Sequence, residues 1–90
     1  MPLVRFTRHL RVHFPDLEDG DVDGGTLADV VAALDARYPG LRDYLVDERG
    51  SLRRHVNLFV NEDVLVDRAA LTDPVGPGDR VFVMQALSGG

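Results

Sequence analysis

The sequence predicts a two-layer α+β domain, in which one main helix packs against a sheet of four or five strands. Three observations favour this class: a period-two apolar pattern near the start, a capped amphipathic helix over 26–38, and apolar strands in the second half. A length of 90 residues allows one domain. We assign 1–86 to that domain and 87–90 to a C-terminal tail.

The composition excludes several classes of function. The net charge of −5 argues against binding of nucleic acid through its phosphates. The absence of cysteine excludes a disulfide framework, a thiolate metal site and a cysteine nucleophile. All ten basic residues are arginines. No apolar run is long enough to cross a bilayer and no signal pattern precedes the domain, so we expect no membrane contact and a cytoplasmic protein.

The first element is predicted to be a long strand over 3–14, bent near Arg8–Leu10. Its even positions carry apolar residues, among them Val4 and Val12, and its odd positions are mostly polar. On such a strand His9 and His13 lie about 13 Å apart, too far to share a metal ion. Pro15 ends the strand. The acidic segment that follows contributes a possible hairpin arm over Leu17–Val22.

The segment TLADVVAALDARYPG is predicted to be the main helix. Its apolar residues follow the helical spacing and form one stripe: Leu27, Val30, Val31, Leu34 and Tyr38. Thr26 is the expected N-cap, with Asp29 in the first turn, and Pro39-Gly40 ends the helix. A short helical turn over 41–45 follows.

The second half is predicted to hold three strands, HVNLFVN, VLVD and RVFVMQA. The last strand is apolar on both faces, and one helix covers a single face of a small sheet. If Val81 and Val83 lie under the helix, then Phe59, Phe82 and Met84 lie on the open face. An exposed methionine with two aromatic rings predicts a partner-binding surface.

The chain then runs into Leu87, Ser88, Gly89 and Gly90. Glycines at an end contribute nothing to a core and are costly to order. Without side chains, they suit a stalk that carries a carboxylate into a narrow site on another protein. Extended, these four residues reach roughly 13 Å.

Four segments carry a resemblance to a known family: TLADVVAALDARYPGL, HVNLFVN, GPGDRV and ALSGG. With them the chain resembles the MoaD/ThiS family of small sulfur carriers, which have the ubiquitin-like β-grasp fold. The long segment between helix and strand is similar to that of the cysteine-biosynthetic, CysO-like carriers and of some molybdopterin-synthase small subunits. Gln85 and Ala86 stand where many molybdopterin-synthase small subunits have two prolines.

The resemblance implies a carrier that is not itself an enzyme and binds no cofactor. A separate E1-like enzyme, using ATP and Mg²⁺, would adenylate the Gly90 carboxylate, and a sulfur donor would then produce a thiocarboxylate. A second, sulfur-accepting biosynthetic enzyme would take the sulfur for cysteine, molybdopterin, the thiamine thiazole or a secondary metabolite. Met84 lies where the family contacts its partners. The alternative is a ubiquitin-like modifier joined to target proteins through Gly90.

Rival motifs carry less weight. Asp19–Gly24 matches the opening of a calcium loop, but the loop's twelfth position, which requires glutamate, is Val30. No nucleophile elbow surrounds Ser51, so a serine hydrolase is excluded. The arginines at 49, 53 and 54 are interpreted as a solvated loop, with a steering patch as the alternative.

Overall fold

A computed structural model describes residues 1–85 of the chain. It contains a five-stranded mixed sheet: β1 (Leu3–Phe6), β2 (Gly20–Asp21), β3 (Val56–Val60), β4 (Asp63–Val64) and β5 (Arg80–Gln85). The helices are α1 (Leu27–Arg37), α2 (Leu41–Leu45) and a 3₁₀ helix over Arg8–Val12. The prediction of one main helix and a sheet of up to five strands is confirmed.

The last strand lies at the centre of the sheet, whose strand order is β2-β1-β5-β3-β4. β5 pairs parallel with β1 and antiparallel with β3. Both edges of β5 are therefore hydrogen-bonded to a neighbouring strand. β5 ends at Gln85, in the middle of the sheet.

The core lies between the helices and one face of this sheet. Alternation on β5 buries Val81 and Val83, each 1% exposed, and they pack with buried residues of α1 such as Val30 and Leu34. The predicted N-cap of α1 is confirmed, because the Asp29 backbone N–H donates to Thr26 Oγ1 at 3.1 Å. The predicted short helix over 41–45 is also present as α2.

The prediction of one strand over 3–14 is wrong. β1 ends at Phe6, and a 3₁₀ helix begins two residues later. The Leu10 N–H donates to the Thr7 carbonyl, which starts a turn that buries Leu10 and leaves Val12 69% exposed. Residues at positions 10 and 14 suit a helical turn as well as a strand, so alternation alone could not decide between them. The strand-based distance between His9 and His13 therefore does not apply.

The hairpin arm expected over Leu17–Val22 is shorter than predicted. Residues Gly20 and Asp21 alone form β2, which pairs antiparallel with β1. The Phe6 N–H is bonded instead by the Asp19 carboxylate, at 3.0 Å. A side chain thus takes the place of a strand partner at this end of β1.

Candidate functional site

Three predicted partner-binding residues lie together on the open face of the sheet. Strand register places Phe59 opposite Phe82, and Asn57 opposite Met84. Residues that pair directly across neighbouring strands project to the same face, and Phe82 and Met84 are two apart on β5. Phe59 and Phe82 are half-buried and Met84 is 40% exposed. The predicted division of β5 into a core face and an open face is confirmed for these residues.

The open face is wider than the sequence indicated. Val64 on β4 lies opposite Phe59 and is 49% exposed, so an apolar row crosses three strands from β4 to β5. On the other side, Arg5 of β1 pairs with Phe82 in the parallel register. The odd position of Arg5 in the alternating pattern predicted its exposure. Its place beside Phe82 depends on the β1–β5 pairing, which leaves no local signal in the sequence.

Arg5 is held over the aromatic surface. Its guanidinium carbon lies 5.7 Å from the centre of the Phe82 ring, within cation–π range. Its Nε lies 3.6 Å from Asp19, which also lies 3.5 Å from Arg11. The first acidic residue of the calcium-like motif therefore serves as a counter-ion for two arginines. Within residues 1–85, no cluster of three or more metal-ligating side chains is found.

A shallow depression of about 210 Å³ borders the open face at the end where β5 stops. Met84 and Gln85 line it from β5, and Arg54 and His55 line it from the segment before β3. The depression thus joins the apolar row to the end of β5 at Gln85. The predicted tail residues Leu87, Ser88, Gly89 and Gly90 lie outside the described part of the chain.

Gln85, which the sequence singled out only as a departure from a proline pair, has side-chain contacts of its own. Its Oε1 accepts a hydrogen bond from the Tyr44 hydroxyl at 2.9 Å. The contact joins residues 41 positions apart, so local spacing could not reveal it.

The remaining motifs have structural roles. The Ser51 hydroxyl donates to the carbonyl of Ala69 at 3.0 Å. Arg53 Nε donates to the Asp43 carbonyl at 3.0 Å and joins this loop to α2. Within residues 1–85, no helix is long and apolar enough to span a bilayer.

Comparison with known proteins bears on the whole chain. The model of the ThiS family matches residues 4–90. The sulfur carrier protein CysO of Mycobacterium tuberculosis is 32% identical over 83 residues, covering 90% of this chain and 89% of that protein. Small archaeal modifier protein 3 of Haloferax volcanii is 32% identical over 68 residues, covering 76% of this chain and 73% of that protein.

A solved structure confirms the β-grasp fold. The crystal structure of the Amycolatopsis orientalis BexX/CysO complex contains a chain that superposes with a TM-score of 0.85, at 26% identity and full coverage of both chains. The strand order and the single main helix agree with this fold, and the family match covers the same part of the chain. The chain therefore belongs to the ThiS family, whose sulfur carriers are non-catalytic proteins.

Proposed function

We propose that this chain is a sulfur carrier whose Gly90 carboxylate is activated by a separate enzyme and converted to a thiocarboxylate. The observation that carries the proposal is the family match, which extends to residue 90 and so includes the Gly89-Gly90 pair. The geometry supports it, because the central strand β5 ends at Gln85, five positions before Gly90. The Gly90 carboxylate and the docking surface on the sheet are thus separate parts of one molecule.

The chemistry follows from the weakness of a carboxylate as an electrophile. A Gly90 carboxylate oxygen attacks the α-phosphate of ATP in an E1-like adenylating enzyme, and pyrophosphate leaves. A donor at the oxidation level of sulfide then attacks the acyl carbon, and AMP leaves with the carboxylate oxygen. In the sulfur-accepting biosynthetic enzyme the thiocarboxylate sulfur attacks an electrophilic carbon of the acceptor and displaces its leaving group, which produces a thioester. Hydrolysis of the resulting acyl–sulfur bond returns the Gly90 carboxylate.

The carrier's own contribution is docking and delivery. Phe59, Phe82 and Met84 are the apolar centre of the docking surface, and Arg5 is its charged margin. Burial of such a patch against a partner is favourable, and an arginine at the margin contributes to orientation. Leu87, Ser88, Gly89 and Gly90 then enter the partner's site, where the glycines lack a Cβ that could clash.

Mass spectrometry tests the proposal directly. The protein ending at Gly90 is incubated with an E1-like enzyme of its source organism, ATP, Mg²⁺ and a sulfide donor, and is weighed intact. We expect the exchange of one oxygen for one sulfur at the C-terminus. A variant lacking Gly89 and Gly90 should stay unmodified while keeping the unfolding midpoint of the parent. An unchanged mass of the parent with an enzyme that activates another carrier would contradict the proposal.

A second candidate is a protein modifier of the ubiquitin type, favoured by the similarity to small archaeal modifier protein 3. In that case the activated Gly90 carbonyl forms an isopeptide bond with a lysine of a target protein. The chain itself contains no lysine, so it cannot form lysine-linked chains on itself. Recovery from trypsin-digested cell extract of branched peptides whose lysine carries Val81–Gly90, the segment after the last arginine, would establish this function.

A further inference from the structure

The end of β5 is fastened by two other parts of the molecule. Tyr44 of α2 donates its hydroxyl hydrogen to Gln85 Oε1 at 2.9 Å, in a part-buried setting. The Gln85 backbone N–H points to Thr7 Oγ1 at 3.4 Å, and the Thr7 N–H donates to the Val83 carbonyl at 3.1 Å. Both the side chain and the backbone of Gln85 are thus oriented from outside β5.

Tyr44 is itself held by a cluster of rings. Its ring centre lies 5.0 Å from that of His13, 5.7 Å from that of Phe14 and 6.1 Å from that of His55. The Phe14 and His55 rings meet it edge-on, an arrangement that fixes ring orientation as well as position. The tyrosine hydroxyl is therefore aimed at Gln85 by ring contacts from two separate segments of the chain.

The contribution of the Tyr44 hydroxyl is a hydrogen bond and not ring packing. The ring contacts would hold a phenylalanine equally well, so the hydroxyl adds the bond to Gln85 alone. Gln85 is five positions before Gly90, a span of roughly 17 Å when extended. A fixed starting point for this span limits the region that the terminal carboxylate must search once the sheet face is docked, which raises its effective concentration in the partner's site.

We infer that Tyr44 is a positioning residue for the chemistry at Gly90, acting through its hydrogen bond to Gln85. The inference rests on the proposed function. On this inference the carrier performs two separate steps. The open face determines how tightly the carrier docks, and the Tyr44–Gln85 bond determines how often the docked carrier presents its carboxylate.

The test is a double-mutant cycle in the intact protein. Tyr44→Phe removes the hydroxyl and keeps the ring, Gln85→Met removes the acceptor at similar length, and the third variant combines both. Ser51→Ala is the matched control, because it also removes one hydroxyl bond to a distant segment, that of Ala69. The rate of pyrophosphate release by the E1-like enzyme is measured over a range of carrier concentrations, below the unfolding temperature of every variant.

We expect Tyr44→Phe to lower kcat about threefold to tenfold, the factor that corresponds to one net hydrogen bond, and to leave the KM for the carrier unchanged. Gln85→Met should have the same effect, and the double variant should be no slower than either single variant, because all three lack the same bond. Ser51→Ala should match the parent. Faster hydrogen exchange at the Gln85 amide in Tyr44→Phe, measured by NMR, should accompany the loss of rate.

The outcomes separate the two proposals. An active parent with an unchanged kcat in Tyr44→Phe overturns the positioning role and leaves the carrier function intact. Additive losses in the double variant overturn it as well, since the residues would then act independently. A change in KM alone assigns Tyr44 to docking and also overturns it. A parent that is never adenylated overturns the carrier function and the positioning role with it.

Discussion

Phe59 of β3 and Phe82 of β5 are directly opposed across the antiparallel pair at the centre of the sheet, on the face turned away from α1. Both are half-buried, whereas Val81 and Val83 on the core face of β5 are each 1% exposed. Aromatic pairs at such positions add stability to a sheet and expose a large apolar area. This pair is the centre of the surface that we assign to partner docking.

The first prediction concerns that surface. Phe82→Ala should raise the KM for the carrier in the adenylation reaction about tenfold or more and leave kcat within about twofold, because interface aromatic residues contribute mainly to binding. Steady-state kinetics with purified carrier measure both constants. Val66→Ala removes an apolar side chain that is 89% exposed and lies outside the strands, so it should leave the KM unchanged. Equal effects of the two variants would contradict the assignment.

The second prediction concerns the close packing of Gly24 against the start of α1. A Cβ at Gly24 would lie 2.8 Å from Val30 Cγ2 and 2.9 Å from the Val30 backbone nitrogen. Gly24→Ala should therefore lower the free energy of unfolding by about 1–3 kcal/mol, measured by urea denaturation.

The adjacent glycine is the matched control for this change. At Gly25 the nearest atom to a new Cβ is Asp29 Oδ2, at 3.8 Å. Gly25→Ala should leave the stability unchanged or raise it by up to about 1 kcal/mol, because alanine restricts the unfolded chain. A loss at Gly25 as large as that at Gly24 would show that backbone freedom, and not the Val30 contact, determines the effect.

The third prediction concerns Asn61, which directly follows β3 and lies in the left-handed region with a φ of 58°. Its backbone N–H donates to the Arg80 carbonyl at 2.7 Å, and its side chain accepts from the Arg80 N–H at 3.0 Å. Its Nδ2 donates to Asp79 Oδ1 at 3.0 Å. Asn61→Gly loses the side-chain bonds alone, whereas Asn61→Ala also places a Cβ in an unfavourable backbone conformation.

We therefore expect Asn61→Ala to be less stable than Asn61→Gly by about 1 kcal/mol, and both to be less stable than the parent. Thermal unfolding followed by circular dichroism measures the order. Equal stability of the two variants would mean that the left-handed conformation is not retained in solution.

The fourth prediction concerns pH. The Thr72 hydroxyl and then the backbone N–H groups of Ala70 and Thr72 donate to the Asp67 carboxylate, and they hold the pKa of Asp67 below its ordinary value of 3.8. The Gly76 N–H, followed by the Asn61 amide, lowers the pKa of Asp79 in the same way. A carboxyl whose pKa is lower in the folded state stabilises the fold above the unfolded pKa, and this contribution is lost as the pH falls through the folded value.

The contribution of these two carboxylates to the free energy of unfolding should therefore be constant above about pH 5 and should decrease below about pH 4. Asp67→Asn should flatten part of this decrease, because the amide does not titrate, and should be less stable than the parent at neutral pH. Urea denaturation at a series of pH values measures the difference, and a profile of Asp67→Asn parallel to that of the parent would contradict the prediction.

The elements with strong periodicity were predictable because their signals are local. The stripe from Leu27 to Leu34 with its Thr26 cap predicted α1, and the alternation on β3 and β5 predicted which side chains are buried. The error at 3–14 arose where apolar spacing suited both a strand and a helical turn. There, β1 stops where its pairing with β5 ends, at Phe6 and Val83.

The amino-acid sequence by itself determined the main helix, the strands of the second half, the two faces of β5, the family resemblance and the Gly89-Gly90 pair. Tertiary structure alone decided that β5 lies at the centre of the sheet, that Arg5 reaches Phe82, and that Tyr44 bonds to Gln85. The physical reason is the sequence separation over which each kind of signal acts. Periodicity and capping act over one or two turns of the backbone, whereas these contacts depend on strand order and join residues separated by 41 to 77 positions.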